Sequence, residues 1–334
     1  MPPAARPRPP GKTPKAPSKT QAEPPPAAEE AAERALRRLL RSQWEEMVRH
    51  REGALSETDP EPLHDFRVAL RRARSLLKEV GEVFPPRSTQ ALAHELDWLG
   101  TATGASRDLD VMLASLEERT KDQPERFRQE IKPLFEMLSV RRQEARKELA
   151  AALSSERCER LLKTFEAFSA RRPTPRRAPP AAFLPLSELA SERIREAAER
   201  VEKRGRKAKE SGSARDLHRL RIACKRLRYL LEFFRTLYPP RPIEALLRSL
   251  KELQDLLGTG NDLAVQEKEL RKIAGELAGD RTQVEALLAL GVVLAEVLAE
   301  RQEVLEQTRP ALRAFLGWRN QERLRRLTRA EESR

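Results

Sequence analysis

Residues 63–86, LHDFRVALRRARSLLKEVGEVFPP, return in altered form as residues 217–240, LHRLRIACKRLRYLLEFFRTLYPP. The offset, 218 − 64 = 154, holds without a gap as far as Val111 and Val265. It pairs His64 with His218, Arg67 with Arg221, Arg72 with Arg226, Arg74 with Arg228, Gly104 with Gly258 and Asp108 with Asp262. Arg71 is matched by Lys225, so the charge is kept where the residue is not. A chain that repeats itself over this length is built from one supersecondary unit used twice, and the two copies are expected to pack about a pseudo-twofold axis.

Apolar residues recur at helical spacing through nearly the whole chain, and no stretch alternates as a strand. Six helices are expected in the first half, over residues 28–53, 60–84, 88–101, 107–120, 124–151 and 155–170. Six more are expected over residues 187–210, 214–238, 242–257, 261–278, 281–308 and 310–330. Glycine is scarce, at 13 of 334 residues, which also favours helix over sheet. The fold class is therefore all-α, as internally duplicated helical bundles. Residues 1–27 contain ten of the 25 prolines and almost no large apolar side chain, so they form a disordered basic tail. The Pro/Arg stretch within residues 171–186 serves as a linker between a first half, 28–170, and a second, 187–330. The Pro-Pro pairs at 85–86 and 239–240 each end one helix and start the next. Gly104 and Gly258, each followed by an aspartate four residues on, suit a glycine turn and a helix cap.

Lysine and arginine outnumber the acids 65 to 52, a formal charge of +13. That favours an acidic partner: nucleic acid, a membrane surface or a phosphate polymer. Aromatic residues make up only 4% of the chain, too few for the stacking platforms on which single-stranded nucleic acid is held. Trp44, Trp98 and Trp318 are expected in the core. The two cysteines, Cys158 and Cys224, belong to no close-spaced pair, so neither a zinc nor a redox motif is present and a reduced cytoplasm is the simplest location. The N-terminus lacks the apolar core of a secretory signal. The most apolar stretch, residues 286–298, is too short to span a membrane and suits a buried helix.

At roughly 100° per residue, His64, Arg67, Arg71, Arg74 and Lys78 fall within a wedge of roughly 80°, opposite Phe66, Leu70, Ala73, Leu76, Leu77 and Val80. His218, Arg221, Lys225 and Arg228 form the same stripe in the second copy, where Glu232 replaces Lys78. Like charges three and four residues apart destabilise a helix, so an uninterrupted row calls for a counter-anion. The planar guanidinium fork binds phosphate bidentately. The alternative is that carboxylates on neighbouring helices neutralise the stripe. His64 and His218 are either locally bonded helix-start residues or phosphate donors. No second ligand sits at metal-binding spacing beside them. Arg72 and Arg226 repeat on the same helices. On the helix before each of these, Arg41 matches Arg195, Arg49 matches Lys203 and His50 matches Arg204, a candidate second wall.

His64, Arg67, Val68, Arg71, Arg72, Arg74 and Leu77, followed by Arg107, Asp108, Leu109, Asp110 and Val111, resemble the CHAD family, the conserved histidine α-helical domain. The resemblance covers about residues 28–330. It implies helical bundles about a pseudo-twofold with a basic groove or central cavity, and binding of inorganic polyphosphate, with some relatives found on polyphosphate granules. The residues it implies in phosphate contact are His64, Arg67, Arg71, Arg74, His218, Arg221, Lys225 and Arg228. Asn261 stands where the first copy has Arg107, so the site is asymmetric if Arg107 contributes. Many relatives carry a preceding triphosphate-tunnel domain with a Glu-x-Glu-x-Lys motif. No such motif is present here, and the resemblance brings no hydrolytic activity.

The expected function is non-catalytic polyphosphate binding, with no cofactor, no metal and no membrane insertion. The alternative is a nonspecific nucleic-acid-binding protein. An enzyme acting on phosphate polymers would need a phosphate-binding loop or an acidic metal cluster, and the sequence shows neither. A helical scaffold charged only for solubility would have no tight polyanion ligand.

Overall fold

The helices assemble because each buries one apolar face, and the order of burial decides where the polar faces point. The structure, a computed structural model, describes residues 27–56, 59–171, 178–279 and 283–328. Among these are twelve α-helices: α1 (Ala32–Arg51), α2 (Glu61–Val80), α3 (Pro86–Ala102), α4 (Gly104–Thr120), α5 (Glu125–Glu130), α6 (Lys132–Leu153), α7 (Glu156–Ala170), α8 (Leu186–Ser211), α9 (Ala214–Phe233), α10 (Pro240–Leu277), α11 (Val284–Phe315) and α12 (Trp318–Thr328). They contain no strand; one isolated antiparallel bridge joins Ala31 to Pro185. The sequence expectations for residues 1–26 and 172–177 lie outside the described residues.

Two apolar clusters hold the helices. The larger draws on α1, α2, α3, α7, α8, α9, the first half of α10 and α12, with Phe66, Phe84, Phe165 and Phe234 fully buried. The smaller joins α4 and α6 to the second half of α10 and to α11. In α2, Leu63, Phe66, Leu70, Leu76, Leu77 and Val80 are all buried, each stabilising the fold by roughly 1.5–3 kcal/mol. The opposite face of α2 is thereby fixed outward, and α9 is fixed in the same way through Leu220, Leu227, Leu230 and Leu231. α2 packs on α1, α9 on α8, and α2 and α9 pack on each other.

Several expectations are corrected. The helices expected over 242–257 and 261–278 are one continuous α10, and Gly258 lies inside it rather than in a turn. In the first half the break survives only as Thr103, between α3 and α4, and Gly104 begins α4. Helix 124–151 is divided at Ile131 because Pro133, in the first turn of α6, supplies no N–H to continue α5. Pro310, in contrast, is accommodated within α11. Residues 178–186 of the expected linker are built into the core: Ala182 and Leu186 are buried. The Ala32 amide donates to the Leu184 carbonyl at 2.9 Å, and the Leu186 amide to that of Glu30 at 2.9 Å. Trp318 is 73% exposed rather than core, while Trp44 and Trp98 pack against the larger cluster. The stretch 286–298 is buried on one face only. Both cysteines are buried and free. No helix among the described residues is long and apolar enough to cross a membrane.

Candidate functional site

With α2 and α9 side by side, cations from both halves meet at their contact. Arg71 Nε donates to the Tyr229 hydroxyl at 2.7 Å. Lys225 lies within electrostatic reach of Arg71, Arg221 and Arg228. Arg67 lies within reach of Arg71, Arg107 and Arg74. The effect on proton affinity is direct. Burial, reinforced by Arg221 and Arg71 and only partly opposed by Asp262, pushes Lys225 down to about 8. Burial also lowers the Arg67 guanidinium, with Asp108 opposing and Arg71, Arg107 and Arg74 adding to the shift.

The carboxylates at this cluster are few. Asp262 lies 3.7 Å from Arg221. Asp108 faces Arg67, Arg107 and Asp262, and burial followed by the Asp262 charge raises its pKa. Arg74 Nε pairs with Asp97 at 2.5 Å, and Arg228 with Glu232 at 3.4 Å. Seven cations (Arg67, Arg71, Arg74, Arg107, Arg221, Lys225 and Arg228) thus face four carboxylates, one of which, Glu232, also pairs with Arg72 at 3.2 Å. The Nε atom of Arg221 is buried without a hydrogen-bond partner. The stripe is therefore only partly neutralised from within.

Local sequence sets these positions. Arg67 donates through Nη1 to Thr103 Oγ1 at 3.0 Å and to the Gly100 carbonyl at 3.3 Å. Thr103 is buried at the α3–α4 junction, and its hydroxyl donates to the Leu99 carbonyl at 2.8 Å. Gly100 matters because any β-carbon there would overlap the Arg74 guanidinium, so the missing side chain lets Arg74 lie against α3. Gly212, at φ 59°, ends α8 in the left-handed region, and Ser213 then caps α9 by accepting the Asp216 amide at 3.2 Å.

The two histidines are not equivalent. Both are exposed. His218 Nδ1 lies 2.7 Å from Asn261 Oδ1, and the Asn261 amide group donates to Asp262 Oδ1 at 3.2 Å. That orientation of Asn261 makes His218 Nδ1 the donor and leaves Nε2 free toward solvent. The His64 side chain makes no hydrogen bond or ion pair to a described residue, and Lys78, exposed at the end of α2, makes none either.

Arg72 and Arg226 are held at the α2–α9 interface instead of in the cluster. Arg72 lies over the Phe233 ring at 5.0 Å, and Arg226 pairs with the buried Glu79 at 3.4 Å. Positions 79 and 233 are themselves 154 apart, so each arginine crosses to the matching place on the other helix. The second wall does not gather either. Arg41 turns toward α7, over Trp44 at 4.2 Å and paired with Glu45 at 3.1 Å and Glu166 at 3.6 Å. Arg49 pairs with Glu46 at 2.6 Å. Arg195, Lys203 and Arg204 are exposed on α8 and outside the electrostatic reach of Arg67 and Lys225. The sequence reasoning missed Tyr229, Thr103 and Gly100 as site residues. Thr103 and Gly100 carry no repeat signal, and Tyr229 matches Ser75 in the first copy.

The described chain is thus all-helical and brings partly neutralised cations from two helices together. Its family follows from comparison: the CHAD domain family model matches residues 38–271, and the chain belongs to that family. It is similar to the crystal structure of the CHAD domain from the plant Ricinus communis, with a TM-score of 0.72 and 31% identity over 90% of this chain and 97% of that one. PptA from Streptomyces chartreusis shares the fold at a TM-score of 0.62 and 17% identity, over 86% of this chain and 99% of that one. Two Mycobacterium tuberculosis proteins, named Uncharacterized protein MT2285 and Uncharacterized protein Rv2226, are each 29% identical over 231 residues, 68% of this chain. The chain spans 43% of the length of these curated relatives.

Proposed function

We propose that this protein binds inorganic polyphosphate without altering it, through Arg67, Arg71, Arg74, Arg107, Arg221, Lys225 and Arg228, with His64 and His218 as further donors. The observation that carries the proposal is the meeting of Lys225 with Arg71 and Arg221, where burial first, and then repulsion from these arginines, pushes the lysine down to about 8. Such mutual repulsion is relieved by a ligand that brings several negative charges at a short repeat. A helical row with a pitch near 5.4 Å, about the spacing of two phosphate units, suits a linear phosphate chain. Guanidinium groups supply bidentate contacts and no reacting group is needed. Association with intracellular polyphosphate granules follows naturally from such binding.

Titration with long-chain polyphosphate tests the reading. Replacing Arg67, Arg71, Arg221 and Lys225 together by glutamine is expected to weaken binding by more than about a hundredfold, and the wild-type affinity should fall steeply with salt. Unchanged affinity rejects the site. Displacement of polyphosphate by DNA or RNA at equal phosphate concentration would favour nucleic acid as the ligand. Orthophosphate release with added Mg²⁺ or Mn²⁺ would reject a purely binding role.

A further inference from the structure

The two copies of the repeat differ beside their histidines. Asn261 stands where the first copy has Arg107, each just before a matched aspartate, Asp262 or Asp108. Asp262 Oδ1 accepts from the Asn261 side-chain amide at 3.2 Å, so the Asn261 carbonyl oxygen is the atom that meets His218 Nδ1 at 2.7 Å. An amide oxygen only accepts, which puts a proton on Nδ1. A neutral imidazole carries one such proton, so Nε2 is left with a lone pair. Arg107 cannot impose this state on His64, because a guanidinium only donates.

The charged groups around His218 leave its ring without an ion pair. On α9, Arg215 precedes it by three residues and Arg221 follows by three, and Arg221 is turned to Asp262 at 3.7 Å. From α8, Lys207 pairs with Asp216, which lies about 200° from His218 around the helix. An opening of about 50 Å³ beside His218 is lined from α10 by Gly260, Asn261 and Ala264 and from α11 by Arg301. Arg301 is paired with Glu267. Ala264 stands where the first copy has Asp110, so no carboxylate from that position reaches the ring.

We infer that Asn261 is a positioning residue that makes His218 a proton-gated phosphate donor, while His64 donates without a gate. The inference rests on the polyphosphate reading and adds a condition to it. With Nδ1 committed to Asn261, neutral His218 turns a lone pair toward a phosphate oxygen, and two acceptors make no bond. One proton taken from water onto Nε2 converts the ring to an imidazolium that donates there and carries a charge. Binding at this end of the site is then coupled to proton uptake over the range of about pH 5 to 8 in which histidine changes charge. The site is asymmetric as a result: only its second half senses pH through histidine.

A double-mutant cycle on the full chain, titrated with long-chain polyphosphate at pH 6 and pH 8, tests this. His218→Ala should weaken binding about tenfold at pH 6 and leave it unchanged at pH 8. In the Asn261→Ala background the ring is free to carry its proton on Nε2, so His218→Ala should weaken binding at both pH values. His64→Ala should weaken binding at both in either background. Nitrogen-15 spectra of the imidazoles in the free protein at pH 8 give a readout that needs no ligand: His218 should be protonated on Nδ1, and Asn261→Ala should shift it toward the Nε2–H form. An Nε2–H tautomer of His218 in the wild type overturns the inference. So does a cost of His218→Ala that is equal at the two pH values, or a cycle indifferent to Asn261, while polyphosphate still binds. Absence of polyphosphate binding by the wild type at either pH rejects the binding reading together with the gate.

Discussion

Arg71 and Tyr229 are 158 residues apart in the chain and meet across α2 and α9, the guanidinium Nε donating to the phenolic oxygen at 2.7 Å. This bond fixes a cation of the first half against a buried ring of the second. Tyr229→Phe removes the acceptor and keeps the ring. The expected cost is about 1 kcal/mol in urea unfolding, with a several-fold loss of polyphosphate affinity as Arg71 loses its set direction. Unaltered affinity would show that Arg71 needs no positioning.

Lys225 should make the proposed polyphosphate binding pH-dependent. With a folded-state value of about 8 against an ordinary 10.5, it loses its proton in the empty protein as pH rises through 8. Polyphosphate affinity should therefore fall between pH 7 and 9, and Lys225→Met should flatten that part of the profile. The sign for stability is opposite. Between about 8 and 10.5 the unfolded chain holds more protons at this position, so this group's contribution to stability rises with pH across that window. Paired urea titrations of wild type and Lys225→Met at pH 7 and pH 10 check it.

Asp108 and Asp262 act as built-in counter-charges to Arg67 and Arg221. Asp262→Asn should raise polyphosphate affinity and make its salt dependence steeper, by roughly 0.7 in the logarithmic slope for one more phosphate neutralised. Asp108→Asn should act in the same direction. A fall in affinity would mean that these carboxylates hold the arginines in place instead of competing with the ligand.

Arg72 and Arg226 repeat as faithfully as the cluster residues, but are tied to Glu232 and Phe233, and to Glu79. Replacing either by alanine should cost about 1 kcal/mol of stability. Polyphosphate affinity should stay within about threefold, in contrast to Arg221→Ala. Binding titrations and thermal melts on the same samples separate the two effects.

Arg37 is an ion buried for the fold alone. It pairs with the equally buried Glu33, donates to the Phe168 carbonyl, and lies between the Phe84 and Phe168 rings at 5.0 and 4.9 Å. Arg37→Ala strands Glu33 and should cost about 3–5 kcal/mol. Chemical denaturation reads this directly, and a loss below 1 kcal/mol would show that Glu33 finds another partner or a proton.

From the sequence alone came the all-helical class, the recurrence at an offset of 154, the Pro-Pro starts of α3 and α10, and the division of α2 and α9 into apolar and cationic faces. These are legible because helical periodicity and repetition are properties of neighbouring positions along the chain. Only the tertiary structure decided which cations work together. Arg71, Arg221 and Lys225 meet because α2 packs on α9, while Arg41 turns to Glu166 and Arg226 to Glu79. Likewise, residues 286–298 are apolar enough for a core, but whether a second helix face is covered depends on what packs against it, and among the described residues Leu288 and Val292 on the outer side of α11 stay exposed. The strength of a charge or an apolar surface depends on its neighbours in space, and those are set by packing between helices far apart in the chain.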